Sequence, residues 1–571
     1  MAAGPSLFSY LNPVPGFPEY SGPHKVGTID VEIPISELSS PSAAPSETSD
    51  ITTIQFRIFY PAVPESRGKR ITWLPTPQRL HVSAYAQFLG AGSMLASLVS
   101  FLPRHLHYTT IPVHKNATLL QPDSTPQLRW PTVIFSHGLG GNRNTYSHVA
   151  GSLASHGVVV FCPEHRDGSA PVSLIRETQT QCGVGAQKVQ KVVPYLRLAH
   201  SQTPEIWEAR NRQLRIRLWE LGLAIEAIVG LDKGHTWSNL NTSTPVPALL
   251  QFKGMLDVQE PGRVVMAGHS FGAATMVQLL KSTYYTDRPE VANMANPLFS
   301  PCLGSPIRTQ ITHKTPTMLL DMWCFPLISA ATSALNSLPL PAYADVPSAP
   351  GGSAILAVES DAFFRWSGHL HARARILSPK PLEQIVSSAA FERPSSGQRF
   401  DKPNFFYVQN SAHLNQSDFG ILFPWLTRRV FGAEQPERCL RLNLRAQLQF
   451  LRNNGYQVAR TCAGDLADGA TKAQGEKIGD GDVQGSETGV MNDSAILDGI
   501  AAKGLIEAWR WIDIVGLGGD ASPTELEMQV GAHKEGDKKR AEEFEQKMGG
   551  EMEPGMKVES PEESGNQAVT A

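Results

Sequence analysis

Apolar residues alternate with polar ones, or gather in short runs, along most of the first 460 residues, and this pattern predicts β-strands. In residues 52–60, Ile54, Phe56 and Ile58 alternate with polar positions, which is typical of a strand with one buried face. Continuous apolar runs bounded by turn residues are typical of strands buried on both faces. We predict strands at residues 25–34, 52–60, 131–136, 158–162, 263–267, 317–321, 354–358 and 405–408.

Helical periodicity separates several of these strands. Residues 146–156 have a helical pattern and lie between the strands at 131–136 and 158–162. A strand, helix and strand in this rhythm imply a right-handed crossover and a parallel sheet. The first two strands, joined by a Ser- and Pro-rich loop, should form an antiparallel pair at the sheet edge. The predicted class is therefore α/β, with a mostly parallel central sheet flanked by helices.

A second helical stretch covers residues 205–228 and is amphipathic. Its arginines fall among leucines, isoleucines and alanines at helical spacing. We interpret these arginines as a solvated face; they are Arg210, Arg212, Arg215 and Arg217.

Composition excludes some classes of function. The 571 residues include 50 basic and 53 acidic side chains, for a net charge of -3, and no basic block suggests a nucleic-acid partner. The cysteines are scattered without metal-ligand spacing, which argues against a zinc site and a disulfide framework; they are Cys162, Cys182, Cys302, Cys324, Cys439 and Cys462. Residues 1–22 lack a continuous apolar region, which Pro13, Pro15 and Pro18 would break, so we expect no secretory signal and a cytoplasmic location.

The chemistry centres on Gly268-His269-Ser270-Phe271-Gly272. A buried strand precedes this pentapeptide and a helix-compatible stretch follows it, which is the context of the nucleophile elbow in an α/β-hydrolase fold. The glycines permit the tight turn that exposes the serine hydroxyl. We therefore predict Ser270 as the nucleophile.

Two further residues complete a candidate catalytic triad. Asp321 ends the strand at 317–321, and His413 lies in the loop after the last predicted strand. The chain order Ser, Asp, His is that of the α/β-hydrolases, so we predict Asp321 as the acid and His413 as the base. Asp361 and Asp418 remain rival acids.

Other residues have predicted supporting roles. The glycine-rich loop 137–141 and the residue after Ser270 should supply the oxyanion hole through the N–H groups of Leu139 and Phe271. Trp323 and Phe325 should form an apolar wall for substrate. We expect His269 to pack beside the elbow, His137 to support the oxyanion loop, and residues 164–167 to be a paired structural cluster. No ligand set for a metal or cofactor is present.

Residues 88–102 are uncharged but shorter than the roughly 20 residues that cross a bilayer. Two interpretations stay open for them. One is a helix packed on the core, and the other is an apolar surface that docks on lipid beside the active site.

The last 111 residues differ in character, so we divide the chain into residues 1–20, an extension; 21–460, the hydrolase domain; and 461–571, a low-complexity and largely disordered tail. One amphipathic helix is predicted within the tail at 495–515, including Trp509 and Trp511. It could pack on the core or contact lipid or a partner through its tryptophans.

Several motifs together resemble a known family over residues 21–455. They are Phe135-Ser136-His137-Gly138-Leu139-Gly140, Glu164-His165-Arg166-Asp167, Gly268-His269-Ser270-Phe271-Gly272, Asp321-Met322-Trp323-Cys324-Phe325-Pro326 and His413. They resemble the plasma/type II platelet-activating factor acetylhydrolases, calcium-independent phospholipases A2 with an α/β-hydrolase fold, and more closely a fungal-type intracellular member. Ala273 departs from the glycine that the family usually has.

The resemblance implies hydrolysis of a short or oxidised sn-2 acyl ester of a phospholipid such as platelet-activating factor. It assigns Ser270 as nucleophile, Asp321 as acid, His413 as base, and the N–H groups of Leu139 and Phe271 as the oxyanion hole. No metal or cofactor is implied, and the expected partner is the phospholipid substrate. The alternatives are a general lipase, carboxylesterase or polyesterase with the same triad, and a non-catalytic lipid-binding protein.

Overall fold

The computed structural model describes residues 16–100, 104–122, 128–176, 190–199, 203–393, 396–432, 434–466, 493, 496–497 and 509–517. All eight predicted strands are present, with bounds shifted by no more than a few residues. The strands within the described ranges are β1 (Lys25–Pro34), β2 (Thr53–Ala62), β3 (Ile71–Thr72), β4 (Thr110–Ile111), β5 (His114–Lys115), β6 (Thr132–Ser136), β7 (Val159–Glu164), β8 (Val172–Arg176), β9 (Gln190–Pro194), β10 (Val264–His269), β11 (Thr317–Leu320), β12 (Ile355–Ser360), β13 (Asn404–Val408) and β14 (Trp509–Trp511).

A single large sheet of ten strands organises the chain, in the order β14-β13-β12-β11-β10-β6-β7-β2-β1-β5. The six strands from β13 to β7 are parallel to one another. The N-terminal pair β1 and β2 is antiparallel, as predicted, and β2 joins the parallel strands through an antiparallel pairing with β7. The two-residue strand β5 lies outside this pair. This arrangement confirms the predicted α/β-hydrolase fold.

Helices cover both faces of the sheet. Those described are α1 (Gln78–Phe88), α2 (Ser93–Val99), α3 (Arg104–Tyr108), α4 (Ser147–Ser155), α5 (Pro204–Lys233), α6 (Phe271–Tyr284), α7 (Pro289–Ala292), α8 (Pro306–Gln310), α9 (Ser333–Asn336), α10 (Asp361–Phe364), α11 (Ser367–Ile376), α12 (Asp418–Leu422), α13 (Pro424–Phe431) and α14 (Pro436–Asn453).

Alternate residues of the central strands enter two separate apolar cores. On β10, Val264 and Met266 join the core that α5 and α6 cover, while Val265 and Ala267 join the core that α4 and α14 cover. The period of two along a strand explains this division, because successive side chains point to opposite faces. The central strands are therefore held between two helical layers.

Local signals explain where α5 begins and ends. The Thr203 side chain accepts a hydrogen bond from the N–H of Ile206, Pro204 occupies the first helical position, and Gly234 follows the helix with φ 81°. Threonine caps and proline favour a helix start, and a left-handed glycine ends one. The helix is longer than the predicted 205–228, because its last turns continue to pack on the core.

The stretch at 88–102 is not one helix. Helix α2 covers Ser93–Val99 and buries Ala96, while Leu89, Met94 and Leu95 are exposed, with Met94 at 81 %. The buried Ala96 agrees with a helix packed on the core. The exposed apolar side chains agree with a surface that docks on lipid, so both interpretations stay open. Within the described residues, no helix combines the length and apolar character that crossing a bilayer requires.

The predicted helix at 495–515 is wrong for its described C-terminal part. Trp509–Trp511 is a strand, β14, which pairs antiparallel with β13. Trp509 is buried, and its ring centroid lies 5.1 Å from that of Phe406. Tryptophan is favoured in half-buried strands. The free edge of β13 also provides backbone hydrogen bonds to a strand, and these stabilise it more than the weak helical periodicity favours a helix. Residues 498–508 of the predicted helix, and most of the tail, lie outside the described residues.

Candidate active site

Ser270 occupies the sharp turn between β10 and α6, with φ 56° and ψ −118°. A non-glycine residue rarely adopts such a conformation, so surrounding contacts must hold it. The N–H of Ser270 donates to the carbonyl of Leu320 at 2.9 Å, and the N–H of Trp323 donates to the carbonyl of Ser270 at 3.2 Å. The turn is thus fixed against the end of β11, in the manner of a nucleophile elbow.

The glycines around this turn are required by close backbone contacts. A Cβ on Gly272 would lie 2.0 Å from the carbonyl oxygen of Ser136, and a Cβ on Gly268 would lie 2.5 Å from the carbonyl carbon of Gly272. Across the site, a Cβ on Gly138 would lie 2.9 Å from the Cβ of Ser270. The glycine-rich loop after β6 therefore approaches the serine directly.

Asp321 and His413 are brought together although they are 92 positions apart in the chain. Asp321 follows β11, is fully buried, and its Oδ1 accepts a hydrogen bond from the N–H of Ser360 at 2.5 Å. Its Oδ2 lies 3.0 Å from Nδ1 of His413. This contact leaves Nε2 of His413 as the nitrogen that can exchange a proton with a substrate or nucleophile.

Two rings hold the imidazole of His413. Phe363 stacks on it with ring centroids 4.3 Å apart and an interplanar angle of 4°, and His269 packs on it with centroids 4.3 Å apart. His269 immediately precedes Ser270, so this stacking draws the histidine loop to the serine turn. Ser270, Asp321 and His413 therefore converge at one edge of the sheet.

His269 packs beside the elbow, as the sequence predicts. Its Nδ1 lies 2.7 Å from the hydroxyl of Tyr146. Complete burial, with a smaller contribution from His413, lowers the pKa of His269 well below its ordinary value, so the ring is neutral. Among the described residues, one group has metal-ligand spacing, namely His269, Asp321 and His413. Two of these three are already hydrogen-bonded to each other.

Asp361, a rival acid, bonds elsewhere. Its carboxylate forms two contacts of 2.8 and 2.9 Å with the guanidinium of Arg365. Its Oδ2 also accepts a hydrogen bond from the N–H of Asn410 at 3.0 Å. Asp361 therefore fixes the backbone at Asn410, shortly before His413. None of these three bonds involves the His413 ring.

Asp418, the other rival, caps the first turn of α4. Its carboxylate accepts hydrogen bonds from the N–H groups of Ser147 and His148, each at 2.9 Å, and from the indole of Trp73 at 2.9 Å. Burial raises the pKa of Asp418 to about 7 in spite of these donors. The residue anchors the segment after His413 to the crossover helix.

The two oxyanion candidates, Leu139 and Phe271, come from the loop after β6 and from the start of α6. The N–H groups of Gly138 and Gly140 donate to the Tyr146 hydroxyl and the Ser169 carbonyl at 3.1 and 2.8 Å, whereas the N–H of Leu139 has no acceptor among the described residues. Phe271 is the first residue of α6, so its N–H has no acceptor in the helical ladder. Both N–H groups are therefore open to a substrate oxygen.

The solvated-face prediction for the arginines of α5 is wrong for Arg210 and Arg217, which are fully buried. Arg212 is exposed, as predicted, and Arg215 is half-buried; both contact Glu47. Arg210 and Arg217 are seven positions apart, on the same helical face as Leu214 and Leu221. That spacing is the signal by which the buried pair could have been recognised.

Arg217 joins several parts of the site. Its guanidinium contacts Asp167 at 2.6 Å, donates to the carbonyl of His137 at 2.8 Å, and donates to Ser169 at 2.5 Å. Its Cζ also lies 4.3 Å from the ring centroid of Phe271. Burial opposes ionisation of Asp167, but the Arg217 charge lowers its pKa to about 2. The guanidinium of Arg217 thus contacts both segments that carry the predicted oxyanion donors.

The prediction that residues 164–167 pair with one another is wrong, because their ion-pair partners lie elsewhere. Glu164 contacts Arg143, and the partners of the other three come from α5. His165 and Arg166 contact Glu220 at 3.0 and 2.8 Å, and Ser136 bonds the other nitrogen of His165 at 2.9 Å. Burial raises the pKa of Glu220 to about 7. His137 donates to the Gly138 carbonyl at 2.9 Å, which supports the oxyanion loop as predicted.

Trp323 and Phe325 form a buried aromatic wall next to the serine. Their rings stack with centroids 5.6 Å apart, Trp207 of α5 extends the stack, and Trp323 meets the ring of Phe271 edge-on at 5.9 Å. The ring of Phe88 packs closely on the loop after β6, since a Cβ on Gly140 would lie 2.7 Å from its Cζ. The exposed apolar stretch that begins with Leu89 therefore adjoins the oxyanion loop.

The topology of the sheet and the serine turn define the class, a serine ester hydrolase of the α/β-hydrolase fold. The family model described as platelet-activating factor acetylhydrolase, isoform II, matches residues 11–340. The chain belongs to this family. The matched range contains Ser270 and Asp321, and His413 lies beyond it.

Relatives with curated names include a protein of Schizosaccharomyces pombe that is named as a phospholipase A2. It is 28% identical over 456 residues, which are 76% of this chain and 92% of the relative. A platelet-activating factor acetylhydrolase of Cavia porcellus is 30% identical over 264 residues, 46% of this chain and 52% of the relative. A ferulic acid esterase structure from Streptomyces cinnamoneus aligns at 15% identity with a TM-score of 0.40, over 78% of this chain and 93% of the esterase.

The buried ion pair beneath the oxyanion loop predicts a stability effect. We expect Arg217→Met to lower the free energy of unfolding by about 3–5 kcal/mol, because Asp167 is left as an uncompensated buried charge. Urea unfolding followed by tryptophan fluorescence measures the change. Arg212→Met is the matched control on the exposed face of the same helix, and we expect it to stay within about 0.5 kcal/mol of the wild type. Equal effects of the two changes would contradict the role given to Arg217.

Proposed function

We propose that this chain hydrolyses the short or oxidised sn-2 acyl ester of phospholipids, as in 1-alkyl-2-acetyl-glycerophosphocholine, to a lysophospholipid and a short acid. The observation that carries the proposal is the contact between Asp321 and His413 beside the Ser270 turn, in a chain of this family. In this proposal the three residues are the catalytic triad of a 1-alkyl-2-acetylglycerophosphocholine esterase.

The proposed reaction begins with attack of the Ser270 hydroxyl on the ester carbonyl. A serine hydroxyl is a weak nucleophile, so His413 accepts its proton through Nε2 as the bond forms. Asp321 accepts the hydrogen bond from Nδ1, fixes the tautomer and stabilises the imidazolium. His413 then protonates the departing lysophospholipid oxygen, which leaves an acyl-enzyme on Ser270.

The developing negative charge on the carbonyl oxygen is stabilised by the N–H groups of Leu139 and Phe271. Each such donor typically contributes about 3 kcal/mol to lowering the barrier. The N-terminal end of α6, where Phe271 lies, adds a favourable dipole. A water molecule then attacks the acyl-enzyme and gives its proton to His413. His413 returns this proton to the oxygen of Ser270 as the acid leaves, so the proposed cycle uses no metal or cofactor.

The aromatic wall supports a short acyl group as the preferred substrate. Trp323 and Phe325 are both nearly inaccessible to solvent and stack against each other, so they close the space beside the serine. A long straight acyl chain would need these rings to move, whereas an acetyl group would not. Packing of this kind is costly to rearrange because protein interiors are close to crystalline in density.

The proposed substrate predicts selective, calcium-free turnover. We expect hydrolysis of sn-2-acetyl phosphatidylcholine in the presence of a chelator, and a kcat/KM for sn-2-palmitoyl phosphatidylcholine at least about 100-fold lower. Released acid or lysophospholipid gives the rate. Ser270→Ala, the control, should reduce turnover of the acetyl lipid at least about 10⁴-fold.

Three results would change the proposal. Equal turnover of both lipids would favour a general lipase or carboxylesterase. Turnover that survives in Ser270→Ala would reject this serine as the nucleophile. No turnover by the wild type would favour a non-catalytic lipid-binding protein.

The assignment of the acid predicts unequal effects of two aspartates. Asp321→Asn should lower kcat by about 10⁴, because an amide favours the wrong imidazole tautomer. Asp361→Asn should lower it by less than about tenfold, because an asparagine oxygen can still accept the hydrogen bond from Asn410. Steady-state kinetics on the acetyl lipid measures both. The reverse order of effects would assign the acid to Asp361.

We also propose that the exposed apolar stretch docks on the lipid surface that holds the substrate. Leu89, Met94 and Leu95 are exposed together, and Phe88 beside them contacts the loop that carries Leu139. Apolar side chains at the entrance would enter the lipid interface and place a phospholipid next to Ser270. A cytoplasmic location remains a prediction from the sequence.

Docking predicts that activity depends on how the substrate is presented. Changing Met94 and Leu95 together to glutamate should lower turnover of the acetyl lipid in vesicles at least about tenfold, because two apolar groups no longer enter the interface. Turnover of the same lipid below its critical micelle concentration should fall much less. Leu303→Glu, at an exposed leucine outside this stretch, is the control. Equal losses on both forms of substrate would argue against docking.

A further inference from the structure

Glu359 is a buried carboxyl group that lies beside the candidate catalytic acid. It is the penultimate residue of β12, and the last residue pair between β11 and β12 is Leu320 with Val358. Asp321 and Glu359 are the next residues along the two parallel strands. Glu359 is 1 % exposed, Asp321 is fully buried, and their side chains are hydrogen-bonded to each other. The structure therefore contains a pair of buried carboxyl groups, of which the proposed triad uses one.

Two carboxylates in contact repel each other where water does not reach, so such a pair keeps a proton. The partners of each group indicate which one keeps it. Asp321 accepts a hydrogen bond from the N–H of Ser360 and lies 3.0 Å from Nδ1 of His413, and hydrogen bonds of this kind favour the ionised form. Oε2 of Glu359 is buried and accepts no hydrogen bond from the described residues. These contacts favour a proton on Oε2 of Glu359.

A cation and a thiol are the other ionisable groups beside Glu359. Nε of Arg373, a fully buried residue of α11, lies 3.2 Å from Oε1 of Glu359. Burial raises the pKa of the Cys324 thiol, which keeps it uncharged. Burial also raises the pKa of Glu359 well above its ordinary value; the charge of Arg373 opposes this shift, and the charge of Asp321 adds to it. With Glu359 neutral, Arg373 balances the single negative charge of Asp321.

Arg373 connects Glu359 to the ring that holds the candidate base. Its Nη2 donates to the carbonyl of Phe363 at 2.7 Å, and its Cζ lies 5.3 Å from the centroid of the Phe363 ring. Phe363 stacks on His413, with ring centroids 4.3 Å apart. Glu359 is therefore linked to the candidate base by this route as well as through Asp321.

We infer that Glu359 is a positioning residue for the proposed triad: its protonated carboxyl group donates a hydrogen bond to Asp321 and holds that carboxylate toward Nδ1 of His413. The inference rests on the proposed function, because it concerns the acid and the base of that reaction. A neutral donor orients the carboxylate without adding a second negative charge beside the imidazolium that forms during the reaction. Glu359 acts through Asp321 and not on the substrate.

Two substitutions separate the hydrogen bond of Glu359 from its bulk. Glutamine keeps the size and a neutral donor, so Glu359→Gln should keep kcat on the acetyl lipid within about threefold of the wild type. Methionine has no donor, so Glu359→Met should lower kcat about 10- to 100-fold and leave KM within about threefold. Glu383→Gln, at an exposed glutamate, is the control. Equal losses of kcat in the glutamine and methionine variants would overturn the inference, because they would show a packing role only.

The pH profile tests the charge of Glu359. The acidic limb of kcat/KM reports the protonation of the essential base in the free enzyme. Glu359→Gln removes no charge if the residue is neutral, so the midpoint of this limb should stay within about 0.3 pH units of the wild type. A fall of the midpoint by about one unit or more would show that a negative charge near His413 had been removed, and this result would overturn the inference.

Infrared spectroscopy detects the proton without turnover, because a protonated carboxyl group and a carboxylate have separate stretching bands. At about pH 8.5 exposed carboxyl groups are ionised, and so are Glu220 and Asp418, whose pKa values burial raises to about 7. We expect the full-length wild type to keep an acid band at this pH, Glu383→Gln to keep it, and Glu359→Gln to lose it. An acid band that persists in Glu359→Gln, or that the wild type lacks, would overturn the inference. The wild-type measurement needs no variant to fold.

The acid band and the turnover together separate this inference from the proposed reaction. A band assigned to Glu359 in a chain that hydrolyses no lipid would reject the proposed reaction and keep the hydrogen bond from Glu359 to Asp321. Turnover of the acetyl lipid that requires Ser270, in a wild type without the band, would keep the reaction and reject the inference.

Discussion

The site depends on the backbone turn at Ser270, which is held in a conformation that an isolated peptide would avoid. Contacts from two neighbouring segments offset the strain: Leu320 of β11 and Trp323 just after it bond the turn, and Gly272 packs against Ser136 of β6. Because these contacts come from neighbouring parallel strands, the serine can be positioned only once the central sheet has formed. The geometry of the nucleophile is thus a property of the whole sheet.

Buried charge is the second constraint. Arg217 contacts the loop after β6, the segment after β7 and the ring of Phe271, so it fixes the two proposed oxyanion donors relative to each other. Moving a charge out of water costs free energy, and the ion pair between Arg217 and Asp167 offsets part of that cost. Donors that are already in position need no rearrangement when the oxyanion forms. The free energy spent on burying Arg217 and Asp167 would therefore lower the barrier of the proposed reaction.

Much of the fold and the candidate site could be predicted from local signals. Apolar runs marked the central strands, and the ends of three of them marked Ser270, Asp321 and His413. These residues lie where parallel strands finish, so topology brings them together without any need to know side-chain packing. Their catalytic roles themselves rest on the proposed mechanism.

The features that could not be predicted depend on distant partners. The position of Arg217 on the apolar face of α5 indicates burial, but its partners Asp167 and the His137 carbonyl lie in loops that the helical pattern does not identify. Trp509–Trp511 becomes a strand only because β13, about a hundred residues earlier, offers an open edge. By its position near His413, Asp418 is a candidate for the acid of the triad. Its hydrogen-bond partners, however, lie at the start of α4.

The C-terminal strand also has a consequence for the state of the protein in concentrated solution. An uncovered β13 would present a row of free N–H and C=O groups, together with the ring of Phe406, to any other extended chain. With β14 paired in antiparallel register, Val408 faces Trp509 and Phe406 faces Trp511, so this row is occupied within the same molecule. Strand β14 therefore covers this edge within the same molecule, and a chain without Trp509–Trp511 would leave β13 open to pairing with other extended chains.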